Sequence, residues 1–259
     1  MRRLRFVGLL PLVCLGGFLC AQSAEVHPVF SRLNSFGAFG EYSNSSSHIL
    51  LGFAQQRKLL NFGASYGRRI LLRPLVDLEY VAEVRPLMFE SDPVVQATDV
   101  ETSSKYPTQS YQYSYRPDQQ CRPGLISTFS GTDRQGNTYT GTTTGTCGRQ
   151  WTFGQGFSPA GLKVNLLPRH AIQPVITALG GYMFSAQAIP VDGAGSFNYT
   201  FEIGAGVELY RSRGTSDSRF GKRSVRAEYR YHHISNKNTA LTNPGIDSGL
   251  LQVTYAFGR

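Results

Sequence analysis

Alternation with a period of two, sustained over ten residues and more, is the feature that most limits what this chain can fold into. In 224–235, Val225, Ala227, Tyr229, Tyr231, His233 and Ser235 share one parity, while Ser224, Arg226, Glu228, Arg230 and His232 take the other. The same split sets Phe201, Ile203, Ala205, Val207 and Leu209 against Thr200, Glu202 and Glu208. It recurs in 76–85 as Val76, Leu78, Tyr80, Ala82 and Val84 against Asp77, Glu79, Glu83 and Arg85, and again in 247–257. Successive side chains leave a strand on opposite sides, so these runs are strands with one apolar and one polar face.

Run length separates two uses of the pattern. Strands of soluble domains are usually about five or six residues long, whereas a tilted strand needs roughly nine to eleven to cross a bilayer. Charges of both signs on one face, and Tyr and Phe towards strand ends, fit a polar lumen and an interfacial girdle. The predicted fold class is therefore all-β, an eight-stranded antiparallel transmembrane β-barrel with an apolar exterior. The expected strands are about 35–43, 58–71, 75–86, 157–167, 172–184, 198–210, 223–235 and 247–257. Residues 48–57 are assigned to a loop, because closed single-chain bacterial barrels have an even number of strands. With both ends periplasmic, the links 44–57, 87–156, 185–197 and 236–246 face outward. Arg73-Pro74, 168–171 and the longer 211–222 face inward.

Arg2, Arg3 and Arg5 precede a mostly apolar stretch from Phe6 to Leu19, followed by the small residues Ala21, Ser23 and Ala24. This is a secretory signal peptide, assigned to 1–23, which leaves 24–259 as a single barrel domain. Its loss removes Cys14 and Cys20 and lowers the formal charge from +9 to +6. Modest basicity suits an anionic membrane surface, and without Lys/Arg-rich runs no nucleic-acid partner is expected. The remaining cysteines, Cys121 and Cys147, form an even pair in an oxidising route and read as a disulfide. Both lie in 87–156, where "GTDRQGNTYTGTTTGT" is too polar for a core of its own; the segment is expected to be a long, stapled extracellular loop.

Strand parity also places the residues with chemistry. His233 and Ser235 end the seventh strand on the outward face, and Asp247 begins the eighth with the parity of Leu251, Val253 and Tyr255. All three are expected near the extracellular rim, facing lipid. A hydroxyl two residues from an imidazole, with a carboxylate across the ladder, supplies the nucleophile, base and orienting acid of acyl transfer. A solvated strand end carrying polar residues is the competing reading. His232 has lumen parity and is expected to be an interior polar partner. Gly154 and Gly156 in "FGQGF" read as close packing or a bend, and Arg122, Arg134 and Lys237 as external loop charges able to meet phosphate.

"YRYHHISN", "NPGID", "GFSPAGLKVNL" and "FNYTFEIGAGVEL" resemble the lipid A deacylase family of outer-membrane barrels, the PagL-like lipid A 3-O-deacylases. The resemblance covers most of the mature chain and is strongest from about residue 155 onward. It implies catalytic roles for His233, Ser235 and Asp247. It also implies oxyanion or substrate contacts for Asn236 and Asn243, and for the backbone N–H of Asn238. The family most often has Glu at the acid position, and Asp247 has more than about 1 Å less reach. The implied reaction is hydrolysis of a fatty-acyl ester on lipid A of lipopolysaccharide, in the outer leaflet of a Gram-negative outer membrane, with no cofactor or metal. A non-catalytic adhesin-like or structural barrel and an acyl transferase are the alternatives, and a homodimer is left open.

Overall fold

The computed structural model describes residues 30–211 and 222–259; the signal segment and the link 212–221 lie outside the described residues. The chain is all-β and antiparallel. The strands are β1 (Asn34–Ser43), β2 (Lys58–Leu72), β3 (Val76–Ser103), β4 (Gln109–Tyr115), β5 (Gly124–Thr132), β6 (Thr138–Leu166), β7 (Ile172–Ser185), β8 (Phe197–Arg211), β9 (Lys222–Ser235) and β10 (Ile246–Gly258). Pairing runs β3-β2-β1-β10-β9-β8-β7-β6, and β3 pairs with β6. Among the described residues, eight strands thus close a ring that leaves no free edge in the barrel wall.

Parity sorts the side chains as the alternation predicts. Leu251 and Val253 are exposed on the exterior, whereas Gln252 and Thr254 are buried in the lumen. Interior charges neutralise one another. Arg85 pairs with Glu41, Glu83 and Glu202, and Arg230 pairs with Glu83, Glu202 and Glu228. Lys163 bridges Glu79 and Glu208, and Arg32 also reaches Glu208. Glu41, Glu83 and Glu202 converge closely enough to suggest a cation site, but the two guanidiniums already occupy that role. This ionic network is tolerated because its charges pair with one another; removing one would leave another buried and uncompensated. At one end a cluster including Ala54, Leu59, Met88, Ile189, Ile234, Ile246 and Leu250 closes the interior with apolar side chains.

The expected loop 87–156 is corrected by the structure. β3 and β6 run on past the ring, pairing from Met88↔Gly154 to Ser103↔Tyr139, and β4 and β5 flank them. This four-stranded extension is held chiefly by backbone hydrogen bonds, which need no apolar core, and its Thr and Tyr residues suit strands. Asp133 accepts from Gln135 and Asn137 to close its tip. The Cys121–Cys147 disulfide is formed, with Cα atoms 6.0 Å apart, and fixes the segment between β4 and β5 to β6. Gly154 and Gly156 lie beside a register shift between Arg85 and Met88, and a Cβ on Gly156 would approach Met88 Sδ to 2.7 Å, in line with a bend under close packing.

Candidate active site

The register of two strands builds the site. Asp247 on β10 is directly opposite His233 on β9, and on the other side of β9 Ser235 is opposite Tyr199 of β8. His233 Nδ1 and Asp247 Oδ1 are 2.7 Å apart. The shorter acid therefore reaches the imidazole without difficulty, because cross-strand neighbours already stand close. The His233 side chain keeps 14 % of its surface open, while that of Asp247 is fully covered.

The cover over Asp247 is the loop 44–57, which folds back across β10. Ser46 bridges to Ser248 and Ala54 to Ile246. The N–H groups of Leu50 and Leu51 donate to Asp247 Oδ2 at 2.6 and 2.8 Å, and the Tyr231 hydroxyl donates to Oδ1 at 2.8 Å. Together with His233 these donors fix the carboxylate in one orientation. Close approach depends on Gly52, where a Cβ would come within 2.6 Å of the Asp247 nitrogen. It depends also on Gly245, whose φ of 62° suits glycine and which packs against the His233 ring. The expected lipid-facing rim is thus modified: parity is outward, but the acid lies beneath a loop. Neither Tyr231 nor the loop N–H groups were marked by the sequence pattern.

Arg57, fully buried, anchors this loop. Its guanidinium donates to the carbonyls of Gln55, Pro117, Asp118 and Pro190 and pairs with Asp92. The neighbouring Arg116 is bound to Asp192 in the loop between β7 and β8. Burial acts to raise the Asp192 carboxyl, but the hydrogen bonds and charge of Arg116 outweigh it and hold the group below the usual range.

Ser235 Oγ donates to Asn243 Oδ1 at 3.1 Å and accepts from the Lys237 N–H at 3.2 Å. The structure contains no hydrogen bond between Ser235 and His233; both stand on β9, and the Ser235 hydroxyl is turned towards the following loop. Asn243 also accepts from the Asn236 N–H, while its Nδ2 donates to none of the described residues. Two of the expected oxyanion groups are otherwise engaged. Asn236 Nδ2 donates to the Thr242 carbonyl, and the Asn238 N–H donates to Asn236 Oδ1. Lys237 and Asn238 have φ of 53° and 61°, and the tight turn they make directs these groups into the loop's own hydrogen bonds. Asn243 is the amide that retains a donor near Ser235. Lys237 Nζ sits 4.3 Å from the Tyr199 ring centroid, next to the site, whereas Arg134 is at the extension's tip and Arg122 beside the disulfide. His232 faces the lumen near Glu202, as its parity predicts.

These features define a class: a closed β-barrel with an apolar exterior, carrying an oriented histidine–carboxylate pair and a nearby serine on the outward parity of its wall. The chain belongs to the lipid A 3-O-deacylase (PagL) family, whose model matches residues 110–256. The barrel is accordingly of the outer-membrane kind. Among solved structures, the chain is similar to one described as the outer membrane enzyme PagL, at 15% sequence identity and a TM-score of 0.43, over 87% of this chain and 99% of that one. Among curated proteins there is no match.

Proposed function

We propose that this protein is an outer-membrane carboxylic ester hydrolase that removes an ester-linked fatty acyl chain from lipid A, using Ser235 as nucleophile, His233 as base and Asp247 as orienting acid. The observation that carries the reading is the 2.7 Å contact of His233 Nδ1 with a buried, multiply bonded Asp247. That contact fixes the proton on Nδ1 and leaves Nε2 as the base.

In this mechanism Ser235 gives up its bond to Asn243 and donates to His233 Nε2 instead. The imidazole takes the proton as Oγ attacks the ester carbonyl, and the adjacent carboxylate stabilises the resulting cation. Asn243 Nδ2 donates to the developing oxyanion. Collapse transfers the proton from His233 to the sugar hydroxyl that leaves, giving an acyl-serine. Water, deprotonated by the same imidazole, then releases the fatty acid and restores Ser235. The substrate arrives laterally from the outer leaflet, and the exposed Ile49, Leu50, Leu51 and Phe53 beside Asp247 give its acyl chain an apolar bed.

The purified barrel in detergent micelles is expected to release free fatty acid from lipid A. Ser235→Ala should lower the rate on the order of 10³-fold or more, as loss of a nucleophile does. Equal release by both proteins would exclude Ser235 as nucleophile, and no release by the wild type would favour the non-catalytic barrel.

A further inference from the structure

Away from the histidine site, a depression of about 410 Å³ opens beside the disulfide, and its only charged lining residues are Lys58 and Arg149. Both are cations, and no carboxylate shares the lining. Arg149 is held in place: Nε donates to Ser91 Oγ at 2.7 Å, and Nη2 to the carbonyls of Ser91 and Gln56 at 2.5 and 2.7 Å. Its Nη1 donates to none of the described residues. A guanidinium whose conformation is already fixed loses little entropy on taking up an anion, and its planar fork suits phosphate oxygens.

The position along the barrel matters as much as the charge. Lys58 pairs with Ser91, which pairs with Trp151; two residues along, Leu60 pairs with Phe89, which pairs with Phe153. Phe89 and Phe153 are packed edge to face at 5.8 Å. Aromatic rows of this kind mark the membrane interface, so the next row of cations, about 7 Å farther along the strands, falls at head-group level. Leu60 also belongs to a ladder that passes through Tyr42 and Leu251 to Tyr229, four residues before His233 on β9. Lys58 is therefore three strand spacings from the histidine strand, about 14 Å across the same outward surface. That is on the scale of a disaccharide head group, with the apolar loop residues 49–53 between.

We infer that Lys58 and Arg149 form a phosphate-binding subsite that receives a phosphate of the lipid A head group while the ester lies at Ser235. The inference rests on the deacylase reading for its substrate, and the two are separable by experiment. Trp151, the sole tryptophan of the chain, is two residues from Arg149 and 58 % exposed, so its fluorescence reports occupation of this face.

The full barrel carrying Ser235→Ala is titrated in detergent micelles with three lipids: bis-phosphorylated lipid A, the same lipid stripped of phosphate, and phosphatidylglycerol. Half-saturation with the phosphorylated lipid A is expected at roughly tenfold lower concentration than with either other lipid. Adding Lys58→Gln should remove that preference, whereas Lys105→Gln, an equal loss of charge on the distant extension, should preserve it. The subsite is overturned if all three lipids respond alike, or if the preference survives Lys58→Gln. In the Ser235-containing protein, fatty acid released equally fast from phosphorylated and stripped lipid A counts against the subsite alone. No release from either, with the binding preference intact, supports the phosphate site and removes the deacylase reading.

Discussion

The two faces of β9 put adjacent histidines to opposite uses. His232 points into the lumen among Arg85, Arg230 and Glu202, in a network where every charge is committed to another. His233, one residue on, faces outward, bonds to a single carboxylate and keeps an open edge. Both sites contain imidazole, carboxylate and burial. The difference is that the inner network is closed to substrate and balances itself, while the outer one is oriented by the fold and left accessible on one side. On the proposed mechanism, what sets His233 apart from His232 is access combined with a fixed acid.

That comparison can be broken at the acid. Asp247→Asn keeps the shape of the outward pair but alters the tautomer that His233 adopts. Deacylation is expected to fall on the order of 10³- to 10⁴-fold, measured as fatty-acid release, with the barrel still assembled. A loss of only a few-fold would mean that the carboxylate positions the loop and does little for the imidazole.

On the inner face the expected effect is on folding. Arg230→Met removes the partner of Glu83, Glu202 and Glu228, and should destabilise the barrel by about 3–5 kcal/mol in urea titrations of the lipid-reconstituted protein. Unchanged stability would show that protonation or water relieves the lumen more readily than the ion pairs suggest. A smaller effect is expected from Tyr231→Phe, which deletes one of the donors to Asp247. Loss of one hydrogen bond to a charged group should cost about 1.5–3 kcal/mol at most, and appear chiefly as slower turnover. An unaltered rate would assign the acid's orientation to Leu50 and Leu51 alone.

The barrel wall was legible in the sequence because period-two alternation reports directly which face each side chain takes. The pairing of His233 with Asp247 was legible for the same reason, since parity placed both on one face before their register was known. The extension was not: Thr140, Thr142 and Thr144 lie in a polar stretch that composition assigns to a loop, yet backbone ladders hold it as strands. The cradle of Asp247 was hidden because Leu50 and Leu51 approach it from nearly 200 residues away, through a loop with no periodicity. The hydrogen bonds of Asn236 and Asn238 were not legible for a local reason, as the positive φ values at 237 and 238 turn their polar groups into the loop itself.

The neighbouring histidines provide the most direct test. Cells producing assembled wild-type barrel, His233→Gln or His232→Gln are compared by mass spectrometry of their lipid A. The account predicts loss of one acyl chain with the wild type and with His232→Gln, and intact lipid A with His233→Gln. Deacylation that survives in His233→Gln and disappears in His232→Gln would contradict it, moving the chemistry from the outward face of β9 to the lumen.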